Sequence, residues 1–207
     1  MMDSHEIDAT GRRILDAAME VFSLEGFTGA TTDQIAAAAA ASKQSIYRRF
    51  GDKKSLFAAL MDDFLTRVRS EIIEVDVSGC TTARDAVQLL ARQFAESILD
   101  HRVQRFRRLV IAEATRFPDL GMAYYRGAFE ATLEGITRVL DGLVVRGLLR
   151  IDDTAQAANH LAGLMLWVPS NRIMMTGRLN SVDSDDIDRA VESGVTVFLS
   201  AYAEHAE

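Results

Sequence analysis

The 207-residue sequence has a single cysteine, two prolines and only three lysines. One cysteine, Cys80, excludes an intrachain disulfide and a cysteine cluster for zinc, and fits a reducing compartment, which points to the cytoplasm. Two prolines and 13 glycines beside 48% hydrophobic residues exclude disorder for the bulk of the chain. A long apolar run is missing as well. The longest, Leu161 to Pro169, falls far short of the roughly 20 residues that cross a bilayer, so no membrane partner is expected. Met1 to Ile7 have neither a basic start nor an apolar core, signal no export, and read as a short flexible tail. The histidines, His5, His101, His160 and His205, lack ligand spacing, so neither a metal nor a cofactor is expected. G-x-S-x-G, H-E-x-x-H, a Walker loop and G-x-G-x-x-G are all absent, and no enzyme is expected.

Charge is also short of one sign. Lys and Arg number 23 against 30 Asp and Glu, a formal net charge of −7, which excludes polyanion binding by the whole surface. Any nucleic-acid face must be local.

What is present is helical periodicity almost everywhere, without sustained alternation of strand type, so the fold class is all-α with about nine helices. A first helix begins near Asp8 to Thr10, carries Ile14, Leu15, Ala18 and Phe22 on one stripe, and stops at Gly26. Thr31 and Gln34 form a capping box for a second, which runs into six alanines. A short third, Ser42 to Phe50, follows. Asp52 caps a long fourth with the stripe Leu56, Phe57, Leu60, Met61, Phe64, Leu65, Val68 and Ile72. Asp76 to Cys80 form the clearest internal joint, and Thr82 with Asp85 opens the fifth helix. A sixth is expected from about Val103 to Arg116, halted by Pro118, which then starts a seventh with the stripe Met122, Tyr125, Phe129, Leu133, Ile136, Leu140, Leu143. Two more run from about Thr154 to Met175 and Ser184 to Ala203. Gly127, Gly135 and Gly142 inside the seventh helix imply close approach by a neighbour, through packing or a ligand. Pro169 should kink or end the eighth.

All three lysines, Lys43, Lys53 and Lys54, fall with Arg48 and Arg49 between positions 43 and 54, where the one acidic residue is Asp52. Five cations against one anion give a local +4, the largest departure from composition in the chain. Charge runs are usually solvated faces. Lys53 and Lys54, however, occupy the first turn of a helix, where the macrodipole disfavours cations and a bound anion would reverse the sign. The second and third helices have helix-turn-helix proportions, and the third offers Lys43, Gln44, Ser45 and Arg48, a set able to read base edges. Tyr47 can pack its ring while its hydroxyl reaches a phosphate.

Arg13-Ile14-Leu15-Asp16-Ala17-Ala18, Phe22, Gly26, Thr31, Ile35-Ala36, Ser42, Ile46-Tyr47, Phe50, Lys53 and Leu56 together resemble the N-terminal domain of the TetR family of transcriptional regulators, over about Asp8 to Leu60. The resemblance implies a homodimer whose recognition helices enter successive major grooves of a palindromic double-stranded DNA operator. It also implies a C-terminal helical domain, residues 59–207, that binds a small-molecule effector and dimerises, behind a DNA-binding domain at 8–58. Thr31, Tyr47, Arg49 and Lys53 fall on phosphate-contacting positions, and Lys43, Gln44, Ser45 and Arg48 on base-facing ones; Thr32 and Ser42 complete the DNA-binding set. The family's turn has Gly where this chain has Ala40, so either the turn is more helical here or the strain is tolerated. Leu109 to Leu120, with Glu113, Arg116 and Phe117-Pro118-Asp119-Leu120, resembles the AefR-like branch.

In the C-terminal half, Phe94, Ile98, Phe106, Met122, Tyr125, Phe129, Leu164 and Trp167 are the effector-pocket candidates, with plain core the commoner use of such residues. They fit a largely apolar or aromatic effector. Leu161, Met165, Val168, Val191, Val195, Phe198 and Tyr202 are the expected dimer face, because the apolar arcs of the last two helices are wider than one core needs. A second basic run, Arg102, Arg105, Arg107 and Arg108, reads as solvated or paired with Glu96, Asp100 and Glu113. The expected function is a ligand-responsive repressor. A helical adaptor using the basic patch on an acidic protein, or a bundle enzyme with an apolar cavity, are the alternatives.

Overall fold

The computed structural model describes residues 7–72 and 75–203, with backbone alone for 68–72. Most of the expected tail, the side chains of Val68 and Ile72, and His5 and His205 lie outside the described residues.

The expected caps at Thr31 and Asp52 form, and Asp8 and Ser42 supply two more. Asp8 accepts the Gly11 N–H at 2.8 Å and opens α1, Ala9–Gly29. The Thr31 hydroxyl accepts the Gln34 N–H at 3.2 Å and the Gln34 amide oxygen accepts the Thr31 N–H at 2.8 Å, closing the reciprocal box of α2, Thr32–Ala38. Ser42 caps α3, Lys43–Phe50, and Asp52 accepts the Ser55 N–H at 2.7 Å at the start of α4, Lys53–Ile72. Gly26 breaks α1 with φ 68° and ψ 171°, a region essentially reserved for glycine, and one further turn carries the chain to Gly29.

Alanine is the best helix former, yet α2 ends inside the alanine run. Ala40 adopts φ 47°; its N–H donates to the Ala37 carbonyl at 3.2 Å, and the Ala41 N–H to the Ala36 carbonyl at 3.0 Å. That pair of bonds is the helix ending whose left-handed position is usually glycine. The turn is therefore not more helical than the family's: Ala40 carries the strain.

The chain forms two compact units, Met1–Thr66 with Phe106–Tyr124, and Arg67–Arg105 with Tyr125–Glu207. The first is built on Ile14, Leu15, Phe22, Ile35, Ile46, Leu56, Phe57 and Leu60, all essentially inaccessible to solvent. Phe57 meets Phe22 edge-on at 5.2 Å, and Phe64 stacks on Phe106 at 4.0 Å. Burial pushes the nearby Tyr124 phenol up to about 12. Arg12 of α1 pairs with the buried carboxylate of Asp63 of α4 at 2.7 Å.

The second unit contains α5, Ala83–Leu99, capped by Thr82, and the start of α6, His101–Glu113. α7, Pro118–Tyr124, precedes a π-helical turn, Tyr125–Glu130, and α8, Ala131–Val145. α9, Thr154–Thr176, and α10, Ser184–Tyr202, complete it. Its core includes Leu90, Leu140, Leu143, Leu161, Met165, Val191, Val195 and Phe198. α9 and α10 approach so closely that a Cβ on Gly194 would lie 2.8 Å from Met165 Cγ. Counting the path from Pro118 to Val145 once, and setting aside the short 3-10 turn Leu179–Ser181, gives nine helical segments among the described residues, in the expected order.

Three local expectations need correction. The sixth helix starts at His101 and ends at Glu113. The seventh is interrupted by a π turn, which its period-3.6 stripe does not reveal. Gly127 and Gly135 are buried, but Gly142 faces open space, so no neighbour explains it. Of the two outcomes left open at Pro169, ending does not occur: α9 runs on, close to its expected length, until Gly177 turns left-handed at φ 67°.

Candidate nucleic-acid interface

α3 is anchored by one buried residue, Ile46, with Phe50 half-buried behind it. Ser42, Lys43, Gln44, Tyr47, Arg48 and Arg49 are exposed, and Ser45 is half-buried. Thr31 is exposed with its hydroxyl committed to the α2 cap. Thr32 is placed differently from the rest of the expected DNA-binding set. It is buried, with its hydroxyl 3.3 Å from that of Tyr47, so it orients the tyrosine from inside the domain.

The five cations separate by use. Lys43 pairs with Asp33 of α2 at 2.9 Å, and that hydrogen bond holds its pKa above the usual lysine value. Arg49 pairs with Asp8 at 2.9 Å; the Gly11 N–H, then Arg49, hold the Asp8 carboxyl below the usual range. Both pairs are substantially exposed, where such contacts contribute little and exchange readily. Lys53 is different. Its ammonium donates to the carbonyls of Ala30 at 2.7 Å, Phe27 at 2.8 Å and Thr28 at 3.4 Å, and sits 4.8 Å from the Phe27 ring centroid. It is misplaced for the dipole of its own helix but well placed for the negative end of α1, which has no basic residue in its last turn. That absence was the legible signal for a cation supplied from elsewhere. Arg48 and Lys54 remain exposed, and Arg48 has no ion-pair partner among the described residues.

A domain with an exposed, polar and basic second helix behind a capped first one is a nucleic-acid reader in form. The family described as bacterial regulatory proteins, tetR family, matches residues 14–60, and the AefR-like transcriptional repressor C-terminal domain matches residues 85–204. The protein belongs to the TetR family of transcriptional regulators. Its relatives in that family include the regulator TtgR of Pseudomonas putida, 31% identical over 153 residues covering 70% of each chain. A crystal structure of a TetR-family regulator from Mesorhizobium loti superposes with TM-score 0.82 at 31% identity, covering 95% of this chain and 99% of the other. The flavonoid-responsive regulator FrrA superposes with TM-score 0.73 at 27% identity, covering 94% and 97%. Curated repressors of higher identity, 43% and 41%, match over 61 and 59 residues, so the chain spans 32% and 28% of their length. These relatives are transcriptional regulators, and among the described residues no helix is long and apolar enough to cross a membrane.

In this TetR-family chain the effector candidates divide between the two units. Phe106 and Met122 belong to the first unit and the other six to the second. Phe94 and Phe106 are core, Phe106 through its stack on Phe64. Ile98 is half-buried, and its carbonyl accepts from the buried amide of Gln104 at 2.6 Å. Tyr125 and Phe129, four residues apart along the π turn, are stacked at 5.3 Å and half exposed. Leu164 and Trp167 are exposed, Trp167 at 74%.

The expected dimer face is corrected more sharply. Leu161, Met165, Val191, Val195 and Phe198 are buried inside the second unit and present nothing to a partner. The arcs of α9 and α10 are two-sided, as their width implies, but these five make up the inner side. The outer side of α9 is Leu164, Trp167, Val168 and Met175, and Val197 is exposed on α10. Tyr202 is half-buried and holds His160 Nδ1 at 2.7 Å. In the second basic run Arg102 pairs with Asp100 at 3.2 Å, whereas Glu96 pairs with Arg92 and Glu113 takes the Phe27 N–H.

Proposed function

We propose that this regulator is a repressor that binds a palindromic operator as a homodimer, one α3 in each of two successive major grooves, and is released by a small, largely apolar or aromatic effector. The exposed surface of α3 carries the reading. Gln44 and Arg48 present a bidentate amide and guanidinium to base edges, each good pair discriminating by about 1 to 3 kcal/mol, with Lys43 and Ser45 beside them. Thr31, Ser42, Tyr47 and Arg49 lie around that helix at phosphate reach. The lysine at position 53 is left out of the count because its ammonium already has three acceptors.

The second copy docks on the outer stripe Leu164, Trp167 and Val168, at i, i+3 and i+4 of α9, with Val197 of α10. An aromatic effector is supported by the flavonoid response of FrrA and by the stacked, exposed Tyr125 and Phe129. Release follows from linkage: the effector favours a spacing of the two reading heads that fits the operator poorly.

Selection of the purified protein on random duplex DNA tests this, with winners measured at several salt concentrations. An enriched palindrome is expected. Four cations per protomer, Lys43, Arg48, Arg49 and Lys54, whether they reach base edges or phosphates, bring up to about eight positive charges per dimer into the counterion atmosphere of the DNA and give a log–log salt slope no steeper than about −7. Lys53→Ala should leave that slope unchanged. The adaptor reading predicts no enrichment and no counterion slope.

A further inference from the structure

We infer that Glu113, assisted by Arg116 and Phe117, is a positioning residue for operator recognition: the turn after α6 grips the broken end of α1 and fixes where the reading helices begin. The inference rests on α2 and α3 being the DNA-reading element.

The break at Gly26 leaves the Phe27 N–H outside the α1 hydrogen-bond ladder. Glu113 Oε1 accepts it at 3.1 Å, from 86 residues along the chain. The same oxygen lies 3.4 Å from where a Cβ on Gly26 would stand, so break and carboxylate are fitted to each other. Arg116 donates to the Thr28 hydroxyl, and the Phe117 ring meets Phe27 edge-on with centroids 4.7 Å apart. From the other side Lys53 gathers the Phe27, Thr28 and Ala30 carbonyls.

The gripped segment is the immediate approach to Thr31, the cap of α2. Ala30 is itself buried at its end. None of Glu113, Arg116 and Phe117 lies on α2 or α3, and all three belong to the same compact unit as those helices. Remote groups thus hold the hinge from which the helix-turn-helix hangs, without touching its reading surface. Loss of the grip should loosen the angle of α3, which matters for a specific site that demands one geometry and not for non-specific binding that demands charge alone.

Two measurements on the full chain test this, with Glu113→Ala and the conservative Glu113→Gln, whose amide oxygen can still accept the Phe27 N–H. In the free protein, amide exchange in Glu113→Ala should accelerate at Phe27 and across Thr31–Phe50, with Ile14–Phe22 unchanged and Glu113→Gln close to wild type. At a temperature where every variant is folded, Glu113→Ala should bind the selected operator roughly tenfold more weakly, with affinity for random duplex and salt slope unchanged. Unchanged exchange across Thr31–Phe50, or an equal loss on operator and random duplex, overturns the inference. If wild type selects no operator, the functional reading fails while the exchange measurement still decides the grip. Should Glu113→Ala not fold, Arg116→Ala removes one exposed contact of the same grip and is read in both measurements.

Discussion

Ala40 holds a left-handed backbone that costs an L-residue about 1 to 2 kcal/mol. Ala40→Gly should therefore raise stability by about 0.5 to 1 kcal/mol, part of the relief being offset by the larger entropy glycine loses on folding. A higher urea midpoint at unchanged slope checks it; a lower midpoint would mean that the turn is not strained. Arg48→Ala should relax base preference at one or two operator positions by about 1 to 3 kcal/mol, read by repeating the selection with the variant. If Arg48→Ala instead weakened all sequences equally, its role would be a phosphate contact. Single residues were legible in the sequence where their partners are near. Asp8, Thr31, Ser42 and Asp52 all act on amides three residues away, a pattern that can be read locally. Lys53 and Thr32 act on groups 15 to 26 residues distant, and no local pattern encodes that choice.

Helices were legible through their stripes, and their order follows from that alone. A stripe measures how much of a helix is apolar, and not which side of a wide stripe turns inward. α9 shows this: Leu161 and Met165 face the core while Leu164 and Val168, in the same turns, face outward. The π turn at Tyr125–Glu130 escaped for a related reason, since one extra residue merely rotates the stripe that follows. Gly142 is the residue on α8 with nothing to justify it. Its Cβ position is open and its surroundings exposed, so Gly142→Ala should stabilise the protein by about 1 kcal/mol in chemical denaturation. A loss of stability would reveal a neighbour that packs there in the assembled state.

For the whole molecule, association and acid response are the measurable properties. Trp167→Glu places a charge in the middle of the outer α9 stripe and should convert the proposed dimer to monomer in light scattering, with helix content retained. A dimer that survives the change would put the pairing surface elsewhere. Backbone N–H groups are the first cause holding Asp8, Asp52 and Asp76 below the ordinary carboxylate range, and Arg189 is the first for Asp186. The unfolded chain binds those protons more tightly than the folded one, so the stability they supply is intact above about pH 4 and drains as pH falls through the folded values. The melting midpoint should drop on acidification below about pH 4; a midpoint unchanged at pH 3 would show that the caps contribute nothing.

Every lysine of the chain lies in the helix-turn-helix region, and the three differ in freedom: Lys54 is exposed, Lys43 pairs with Asp33, and Lys53 is wrapped by carbonyls. Lysine-directed chemistry therefore addresses the helix-turn-helix region and leaves the C-terminal half of the chain untouched. Acylation, whether by a reagent or by an acetyl donor in the cell, would erase positive charge in that order of accessibility. On the proposed function, loss of the Lys54 and Lys43 charges would weaken DNA binding, whereas Lys53 is withheld by its carbonyl partners.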